Sequence, residues 1–247
     1  GNKLEQFSYT TEQDATIVEK SIQALNPQEL TVDKVTKKQR KRNPGAPFTT
    51  STLQQDAARK LGFGTSKTMR VAQQLYEGIE INGEQVGLIT YMRTDSVALA
   101  SEAISAIRQH VETVHGKNFI PTKPNVYKTK SKNAQEAHEA IRPSIIEHTP
   151  DKISRFLDND QKKLYQLIWR RAVASQMSQA IFDQMQVEFK SGDVCRFKAN
   201  GSTVNFPGFL SVYDNLDEKE NKLPAIKEGS KVDINSFSKN QHFTEPP

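Results

Sequence analysis

The sequence predicts an α+β protein in which a mainly helical domain is inserted into a discontinuous β-rich domain. Helical spacing dominates the middle of the chain, whereas the last quarter alternates apolar and polar residues as strands do. A strand pattern also precedes the helices, at residues 30–36, and Asn-Pro-Gly-Ala-Pro at 43–47 interrupts regular structure between them. We therefore assign residues 1–48 and 178–247 to the β-rich domain and residues 49–177 to the helical domain.

Composition narrows the class of protein. The 247 residues include 34 Lys and Arg against 29 Asp and Glu, and the net charge of +5 favours a polyanionic partner without requiring one. The single cysteine, Cys195, excludes an internal disulfide, and no Cys/His group has the spacing of zinc ligands. No apolar stretch approaches transmembrane length. We expect a cytoplasmic monomer without membrane contact.

The first elements are short. Residues 4–9 fit a strand, and residues 12–25 have helical spacing before the strand pattern at 30–36. Six residues from Lys37 to Arg42 then form a basic run. Such a run fits a phosphate contact and a solvated linker equally well.

A pair of helices joined by a glycine turn opens the helical domain. Thr50 or Ser51 is the expected cap of the first helix. The second helix follows a Gly-Phe-Gly turn at 62–64, and Thr65 or Ser66 is its expected cap. Such a pair can lie against duplex DNA, but it is more often part of a core.

The stretch from Gly87 to Ser96, Gly-Leu-Ile-Thr-Tyr-Met-Arg-Thr-Asp-Ser, has the strongest chemical pattern. It follows an Asn-Gly hairpin signal at 82–83 and is typical of a strand end that directs Tyr91 and Arg93 into a cleft. Tyrosine becomes a useful nucleophile where a cation favours the phenolate or stabilises charge on its target, which suits attack on a phosphodiester. On spacing alone, a strand aromatic beside a solvated arginine is commoner.

An amphipathic helix is predicted from Ser96 to Gly116 by the spacing of apolar residues. Thr94 and Asp95 would then lie at its N-terminus, where free N–H groups and the helix dipole favour a phosphate. Asp95 fits a simple helix cap equally well. The basic region 117–132 that follows has the composition of a mobile loop able to rest on nucleic acid.

Residues 133–143, Asn-Ala-Gln-Glu-Ala-His-Glu-Ala-Ile-Arg-Pro, form a second dense group of functional side chains. A helix here would place Gln135, His138 and Arg142 along one side and displace Glu139. Histidine and arginine one turn apart can donate together to phosphate oxygens, and imidazole can also transfer a proton. A histidine in a Glu-rich helix is more often a surface ion-pair partner, and the spacing is not that of a zinc site.

The remainder of the chain contains one more helix and then strands. Asp158 and Asp160 introduce the helix, and although Asp-x-Asp can hold magnesium, at a helix start it is far more often a cap. Strand patterns with an Asn-Gly turn at 200–201 cover residues 185–189, 195–199, 203–206, 209–213 and 231–237.

Six blocks of sequence occur together in the order typical of one enzyme family. They are Pro-Phe-Thr-Thr-Ser-Thr-Leu-Gln-Gln at 47–55, Leu-Gly-Phe-Gly at 61–64, Leu-Ile-Thr-Tyr-Met-Arg-Thr-Asp-Ser at 88–96, Ala-Gln-Glu-Ala-His-Glu-Ala-Ile-Arg-Pro at 134–143, Leu-Tyr-Gln-Leu-Ile-Trp at 164–169 and Gln-His-Phe-Thr at 241–244. On these blocks the chain resembles the type IA DNA topoisomerases, most closely the bacterial ones. The resemblance covers the helical domain and the later strands, while the first forty residues match loosely.

The resemblance implies that Tyr91 attacks one DNA strand and becomes joined to its 5′ phosphate. Another strand passes through the gap, and the freed 3′ hydroxyl then reverses the attack, which relaxes negative supercoils. No nucleotide cofactor is needed, because the phosphotyrosine diester keeps the energy of the cut bond. Arg93 would hold the scissile phosphate as the second catalytic residue, and His138 would contact a phosphate near the cut. The further DNA contacts that the resemblance implies are Arg142, Thr94, Asp95, Ser51 and Gln54.

The resemblance also implies that these residues are a central fragment, an arch domain plus the tyrosine-bearing helical domain. The family's Toprim domain, whose acidic cluster binds Mg²⁺, has no counterpart here, and Asp158 with Asp160 cannot replace it. We expect the fragment to bind DNA that is single-stranded at the cleavage site, to bind no metal and not to cleave alone. The remaining domains of the same polypeptide are its expected protein partners, and the bacterial nucleoid is its expected location.

Two other functions remain open at this point. A tyrosine recombinase-like strand transferase also combines tyrosine with arginine and histidine, but there the tyrosine normally follows those residues, whereas Tyr91 precedes His138 and Arg142. A non-catalytic helix-turn-helix module built on residues 53–76 would bind DNA without cleaving it. Such a module would prefer duplex DNA, whereas a topoisomerase of this kind would prefer single strands.

Overall fold

A computed structural model describes residues 10–24, 29–127, 139–191, 195–213, 221–236 and 240. The helices in these ranges are α1 (Glu12–Gln23), α2 (Thr50–Leu61), α3 (Thr65–Glu77), α4 (Ser101–His115), α5 (Pro150–Ile153) and α6 (Asn159–Ser175). The strands are β1 (Glu29–Arg42), β2 (Ile79–Ile81), β3 (Glu84–Val86), β4 (Ala180–Ser191), β5 (Cys195–Phe206) and β6 (Lys231–Asp233). Short 3₁₀ turns cover Lys117–Phe119, Ser154–Phe156 and Gly208–Val212. This combination of elements confirms the predicted α+β class.

The strands form two sheets. The larger has the order β5-β4-β1-β6, and β1 pairs antiparallel with β6 through Leu30 opposite Val232. The smaller is the antiparallel hairpin of β2 and β3. Asn82 and Gly83 connect β2 to β3 with φ values of 53° and 89°, which are the positive angles of a tight hairpin turn. The Asn-Gly hairpin is therefore confirmed.

Two compact units divide the chain. The first comprises Gly1–Arg40, Phe182–Val204 and Glu220–Pro247, and the second comprises Lys41–Ile181 and Asn205–Lys219. Most of the larger sheet belongs to the first unit, and α2 to α6 belong to the second. The domains expected from the sequence, 1–48 with 178–247 and 49–177, remain a prediction. The compact units differ from those limits by assigning residues 41–48, 178–181 and 205–219 to the helical part.

The core of the second unit forms around α6. Asp158 caps this helix by accepting a hydrogen bond from the Gln161 N–H at 2.8 Å, and the Gln161 side chain accepts one from the Asp158 N–H at 3.0 Å. This capping box confirms that Asp158 acts as a cap. The helix then packs against α2, α3 and α4, and Leu164 and Ile168 are fully buried. Burial of each such side chain contributes about 1.5–3 kcal/mol.

The helix that follows the Tyr91 stretch begins later than predicted. It starts at Ser101 rather than at Ser96, so Thr94 and Asp95 do not lie at a helix N-terminus. Thr94 Oγ1 accepts from the Ser96 N–H at 3.0 Å, and Ser96 Oγ accepts from the Ala98 N–H at 3.1 Å. Because these side chains satisfy backbone N–H groups locally, they compete with helical hydrogen bonding.

The helix considered for residues 133–143 does not form in its described part. Residues 139 to 143 are not helical, and isolated β-bridges join Ile141 to Phe48 and Pro143 to Ile89. The proline explains the difference, because its ring disfavours helical backbone at Arg142 before it.

Four smaller expectations need correction. Lys37 to Arg42 form the exposed end of β1 rather than a linker, and Gln39 Nε2 donates to Asp183 of β4 at 3.0 Å. Residues 200–201 continue β5 without a turn, and residues 208–212 form a 3₁₀ turn rather than a strand. The N-caps of α2 and α3 are Thr49 and Gly64, each one residue before the positions predicted. The expected strand at 4–9 lies outside the described residues.

Within the described part of the chain, no helix combines the length and the apolar character needed to span a membrane.

Candidate active site and nucleic-acid interface

The candidate site begins where the chain leaves β3 and passes the end of α3. The Leu88 N–H donates to the Leu75 carbonyl at 2.8 Å, which attaches the segment to α3. A Cβ atom on Gly87 would lie 3.0 Å from the Tyr76 carbonyl oxygen, so glycine permits this close approach. The next residues are thereby held beside the C-terminal turn of α3.

Side chains alternate between exposed and buried along the segment from Tyr91 to Ser96, which we call the Tyr91 strip. Tyr91, Arg93 and Asp95 are exposed, whereas Met92, Thr94 and Ser96 are buried. The strip is not a regular strand, and its backbone bends at Met92, but the alternation of exposed and buried side chains is the one expected of a strand. Tyr91 is 42% exposed, and Arg93, two residues later, is also exposed.

Thr50, the first residue of α2, binds the buried side of the strip. Its hydroxyl donates to the Met92 carbonyl at 2.8 Å and lies 3.1 Å from the Thr94 carbonyl. The Thr94 N–H donates to the same hydroxyl at 2.9 Å, and the Thr50 N–H donates to the Thr94 carbonyl at 2.9 Å. These bonds satisfy the buried backbone around Arg93 and fix its direction.

Residues 140 and 142 bind the chain immediately before Tyr91. The Thr90 N–H donates to the Arg142 carbonyl at 2.9 Å, and the Arg142 N–H donates to Thr90 Oγ1 at 3.0 Å. Thr90 Oγ1 in turn donates to the Ala140 carbonyl at 2.7 Å. Beyond the strip, the Ala140 N–H donates to the Ala98 carbonyl at 2.8 Å. The backbone is therefore tied down before and after the exposed side chains.

The Arg142 side chain is engaged with its own neighbours. Its guanidinium forms a two-point ion pair with Glu139, with Nε 3.2 Å from Oε1 and Nη2 2.7 Å from Oε2. Nη1 donates to the Pro143 carbonyl at 2.9 Å. The Arg142 side chain is only 16% exposed, and that of Glu139 is 29% exposed. Every guanidinium nitrogen of Arg142 thus already donates within the chain.

An aromatic side chain stands beside Tyr91. The rings of Tyr76 and Tyr91 meet edge to face with centroids 5.3 Å apart and an interplanar angle of 65°. Such pairs contribute about 0.5–1.5 kcal/mol beyond the area they bury. Because Tyr76 is 40% exposed, the pair forms an aromatic surface open to solvent.

The other predicted site residues lie in different surroundings. Ser51 is exposed on the first turn of α2, with its hydroxyl 3.1 Å from that of Thr49, and Gln54 is half-buried one turn later. Thr94 is buried, so its side chain holds the backbone instead of facing solvent. His138 lies outside the described residues, and its predicted position stays a prediction.

Two polar side chains of α3 are paired within the chain. Lys67, on the exposed side of the helix pair, forms a 2.8 Å ion pair with Asp160. Gln161 Nε2 donates to Gln74 of the same helix face at 3.3 Å. Among the described residues, no group of three or more His, Cys, Asp and Glu side chains is arranged to hold a metal ion.

Two buried tyrosines differ from Tyr91. The Tyr165 hydroxyl donates to the His148 carbonyl at 2.7 Å, and burial raises the pKa of that hydroxyl. The Tyr127 hydroxyl lies 2.9 Å from the Ser175 carbonyl, and burial raises its pKa to about 12. Raised pKa values and backbone partners make both hydroxyls poor nucleophiles at neutral pH.

Sequence reasoning missed three residues that shape the site. Thr50 appeared only as a candidate cap, Thr90 had no assigned role, and Glu139 was placed away from the functional side of a helix. Their signal lay in the blocks around Tyr91 and Arg142, which contain Thr90 and Glu139. Nothing in the spacing shows, however, that residues fifty positions apart hydrogen-bond to each other.

The arrangement suits chemistry on a phosphodiester. An exposed phenol and an exposed guanidinium two residues apart on a hydrogen-bonded backbone can meet the same phosphate, with the tyrosine attacking and the arginine balancing the charge that develops. Neither Arg93 nor Asp95 forms a hydrogen bond or ion pair with other described residues, so both remain open to a ligand.

Known proteins are similar to this chain in sequence and in structure. DNA topoisomerase 1 of Xylella fastidiosa (strain 9a5c) is 48% identical over 256 residues, which cover 100% of this chain and 31% of the relative. DNA topoisomerase 1 of Rickettsia felis is 49% identical over 251 residues, covering 99% of this chain and 32% of the relative. The chain therefore spans about a third of the length of these relatives.

A structural match agrees with the sequence matches. The full-length topoisomerase I of Thermotoga maritima has a TM-score of 0.78 and 34% identity, covering 94% of this chain and 36% of that chain. The family model described as DNA topoisomerase matches residues 1–247. Because this match extends over every residue of the chain, the protein belongs to the DNA topoisomerase family.

Proposed function

We propose that this chain is the tyrosine-bearing central part of a type IA DNA topoisomerase. Tyr91 Oη attacks a backbone phosphorus of one DNA strand, and the bond from that phosphorus to the 3′ oxygen breaks. The phenolic proton passes to a base, and the leaving 3′ oxygen takes up a proton. After another strand has passed, the 3′ hydroxyl attacks the phosphotyrosine, restores the strand and releases Tyr91. The net result is relaxation of negative supercoils without ATP.

One observation carries the proposal: Tyr91 and Arg93, two residues apart, are both exposed on a strip whose backbone is hydrogen-bonded by Thr50. Thr50 holds the carbonyls of Met92 and Thr94 on either side of Arg93. Preorganised groups accelerate a reaction because their positions need not change as charge develops. A loose loop carrying the same two side chains would lack this advantage.

Arg93 is assigned to the scissile phosphate. Its guanidinium can donate two parallel hydrogen bonds to phosphate oxygens and stabilise the charge that builds during attack. Removal of one donor to a developing oxyanion typically costs about 10²–10³ in rate. The exposure of Arg93 supports this role, because no described carboxylate competes for its guanidinium.

The remaining contacts to DNA are assigned more broadly. Asp95 and Ser51 are exposed and Gln54 is half-buried, as contacts along the strand that leads to Tyr91 would require. Thr94 acts through its backbone, since its side chain is buried. His138 remains assigned to a phosphate near the cut on the resemblance alone.

The substrate is DNA that is single-stranded around Tyr91. The relatives are bacterial proteins about three times as long as this chain, which supports a role on the bacterial chromosome together with further domains. Mg²⁺, where it takes part, would be held by the acidic cluster of a Toprim domain outside these 247 residues. We therefore expect the 247 residues tested alone to bind single-stranded DNA as a monomer without cutting it.

The test combines these residues with a Toprim domain, either in one polypeptide or as a separately expressed protein. Labelled single-stranded DNA and Mg²⁺ are added, and a denaturation-resistant protein–DNA adduct is measured. We expect an adduct that requires the Toprim domain, and none with Tyr91→Phe. Tyr76→Phe is the matched control, because it removes a neighbouring hydroxyl from the same aromatic pair.

Two outcomes would contradict the proposal. An adduct that persists in Tyr91→Phe would place the nucleophile elsewhere. Sustained relaxation by the 247 residues alone would contradict the requirement for a Toprim domain.

A further inference from the structure

Glu139 and Arg142 connect the chain before Tyr91 to the chain after the strip. The Arg142 carbonyl accepts from the Thr90 N–H at 2.9 Å, and the Arg142 N–H donates to Thr90 Oγ1 at 3.0 Å. Thr90 directly precedes Tyr91. Glu139 Oε1 accepts a short hydrogen bond from the Ala100 N–H, just before α4 begins. The two ends of the loop 91–99 are therefore attached to one short segment.

We propose that Glu139 and Arg142 are positioning residues that set the direction of Tyr91 and Arg93 for the cleavage step. This inference rests on the proposed function and gives Arg142 a role different from the DNA contact implied by resemblance. The pair acts as a clip: the Arg142 backbone holds the start of the loop, the Glu139 carboxylate holds its end, and the ion pair joins the two.

The geometry of the pair fits a rigid support. Glu139 meets the Arg142 guanidinium at two points, at 3.2 and 2.7 Å, and a two-point contact restricts rotation as well as separation. Glu139 Oε1 is shared between Arg142 Nε and the Ala100 N–H. Any movement of the carboxylate therefore changes both contacts together.

The clip supports Thr90, the residue next to Tyr91, where a small displacement would affect the cleavage step. Thr90 Oγ1 also donates to the Ala140 carbonyl at 2.7 Å, so Thr90 has three contacts to residues 140 and 142. A displacement of Thr90 moves the Tyr91 backbone directly, because the two residues share a peptide bond. A misplacement of about 1 Å at a reacting group can lower a rate by about 10²-fold.

The experiment compares Glu139→Ala and Glu139→Gln in the polypeptide that contains the Toprim domain. Glutamine keeps an oxygen that can accept from the Ala100 N–H but loses the charge that attracts Arg142, whereas alanine loses both contacts. At saturating single-stranded oligonucleotide, we expect adduct formation to slow about 10-fold in Glu139→Gln and about 100-fold in Glu139→Ala. The Kd for the same oligonucleotide should change less than about threefold, since neither side chain is assigned to DNA.

Asp160→Asn is the matched control. It breaks the 2.8 Å ion pair to Lys67 in the same compact unit, away from the strip in sequence, and should leave adduct formation unchanged. Thermal unfolding of every variant identifies a purely structural effect, which would lower the melting temperature without slowing cleavage by the folded molecules. If alanine prevents folding, the glutamine variant carries the test.

Wild-type rates in the folded Glu139 variants at saturating DNA would overturn the clip while leaving Tyr91 as the nucleophile. Absence of an adduct in the wild-type protein would instead overturn the proposed function. The two failures are therefore distinguishable in one set of measurements.

Discussion

The same residue types occur in two regions of the helical unit with opposite surroundings. The Tyr91 strip presents a tyrosine, an arginine and an aspartate to solvent, and Arg93 and Asp95 have no partner among the described residues. The second region, which we call the Arg171 cluster, consists of Phe48, Asp56, Tyr127, Arg171 and Tyr213. Its charged groups and its phenols interact with each other.

In the Arg171 cluster the charged side chains interact with groups of the same chain. Arg171 Nε donates to the Ala46 carbonyl at 2.6 Å, and the guanidinium carbon lies 4.8 Å from the centre of the Phe48 ring. The Asp56 carboxylate lies 3.7 Å from Arg171 and also pairs with Arg59 at 2.8 Å. The Asp56 side chain is only 12% exposed, so an unpaired charge there would be costly.

Side-chain identity alone therefore does not mark a functional site. Arginine and aspartate stabilise a fold where they are desolvated and paired, and they stay available for a ligand where a separately satisfied backbone holds them outward. In the strip, Thr50 binds the backbone, so the exposed Arg93 and Asp95 side chains are not needed to hold it in place. Activity and stability should therefore separate between the two regions.

The largest separation is expected for Arg93→Ala. In the polypeptide that contains the Toprim domain, adduct formation should fall about 10²–10³-fold, because a donor to the developing phosphate charge is lost. Stability should change by less than about 0.5 kcal/mol, as is usual for an exposed side chain without partners. Single-turnover cleavage and urea unfolding measure the two effects on the same protein.

Arg93→Lys separates the effect of the charge from the effect of the guanidinium geometry. Lysine keeps the charge but lacks the planar fork, so cleavage should recover only in part. A loss of several kcal/mol in stability for Arg93→Ala would contradict the comparison, because it would give Arg93 a structural role.

The opposite result is expected for Arg171→Ala. Removal of this guanidinium leaves the Ala46 carbonyl without its donor. The Asp56 carboxylate loses one of its cations but keeps Arg59 and Lys60, so we expect a destabilisation of about 1–3 kcal/mol. Folded molecules should still form the adduct at the normal rate, as measured well below the unfolding midpoint. A slow rate in fully folded protein would mean that the Arg171 cluster also supports the strip.

The sequence correctly predicted structural features that depend only on neighbouring residues. The Asn82-Gly83 hairpin and the Asp158 cap follow from residues that satisfy their own neighbourhood, and both are confirmed. The exposed Tyr91 and Arg93 alternate with buried Met92 and Thr94, which agrees with the strand-like pattern expected from the sequence.

Long-range contacts account for what the sequence did not predict. The apolar spacing after Ser96 is helical, yet Thr94 and Ser96 bond their own backbone, and Ala98 pairs with Ala140 forty-two positions away. The segment around Arg142 is likewise held by a distant partner, because a β-bridge joins its neighbour Ile141 to Phe48, while Pro143 disfavours helical backbone before it. A single sequence contains no direct record of such pairings, so the site residues were found while their supports were missed.

The smallest effect tests the buried phenols of the Arg171 cluster. Tyr127→Phe removes a hydroxyl that lies 2.9 Å from the Ser175 carbonyl, and should cost about 1 kcal/mol near pH 8 without changing cleavage. Burial raises the pKa of Tyr127 in the folded state to about 12 from an ordinary value of about 10. Its contribution is therefore complete below about pH 10 and is lost between about pH 10 and pH 12, because the unfolded state ionises first. Urea unfolding between pH 8 and pH 11 should show a smaller alkaline loss of stability in Tyr127→Phe than in the wild type. Equal slopes in the two proteins would mean that Tyr127 ionises as easily when folded as when unfolded, which would contradict the effect of burial on its hydroxyl.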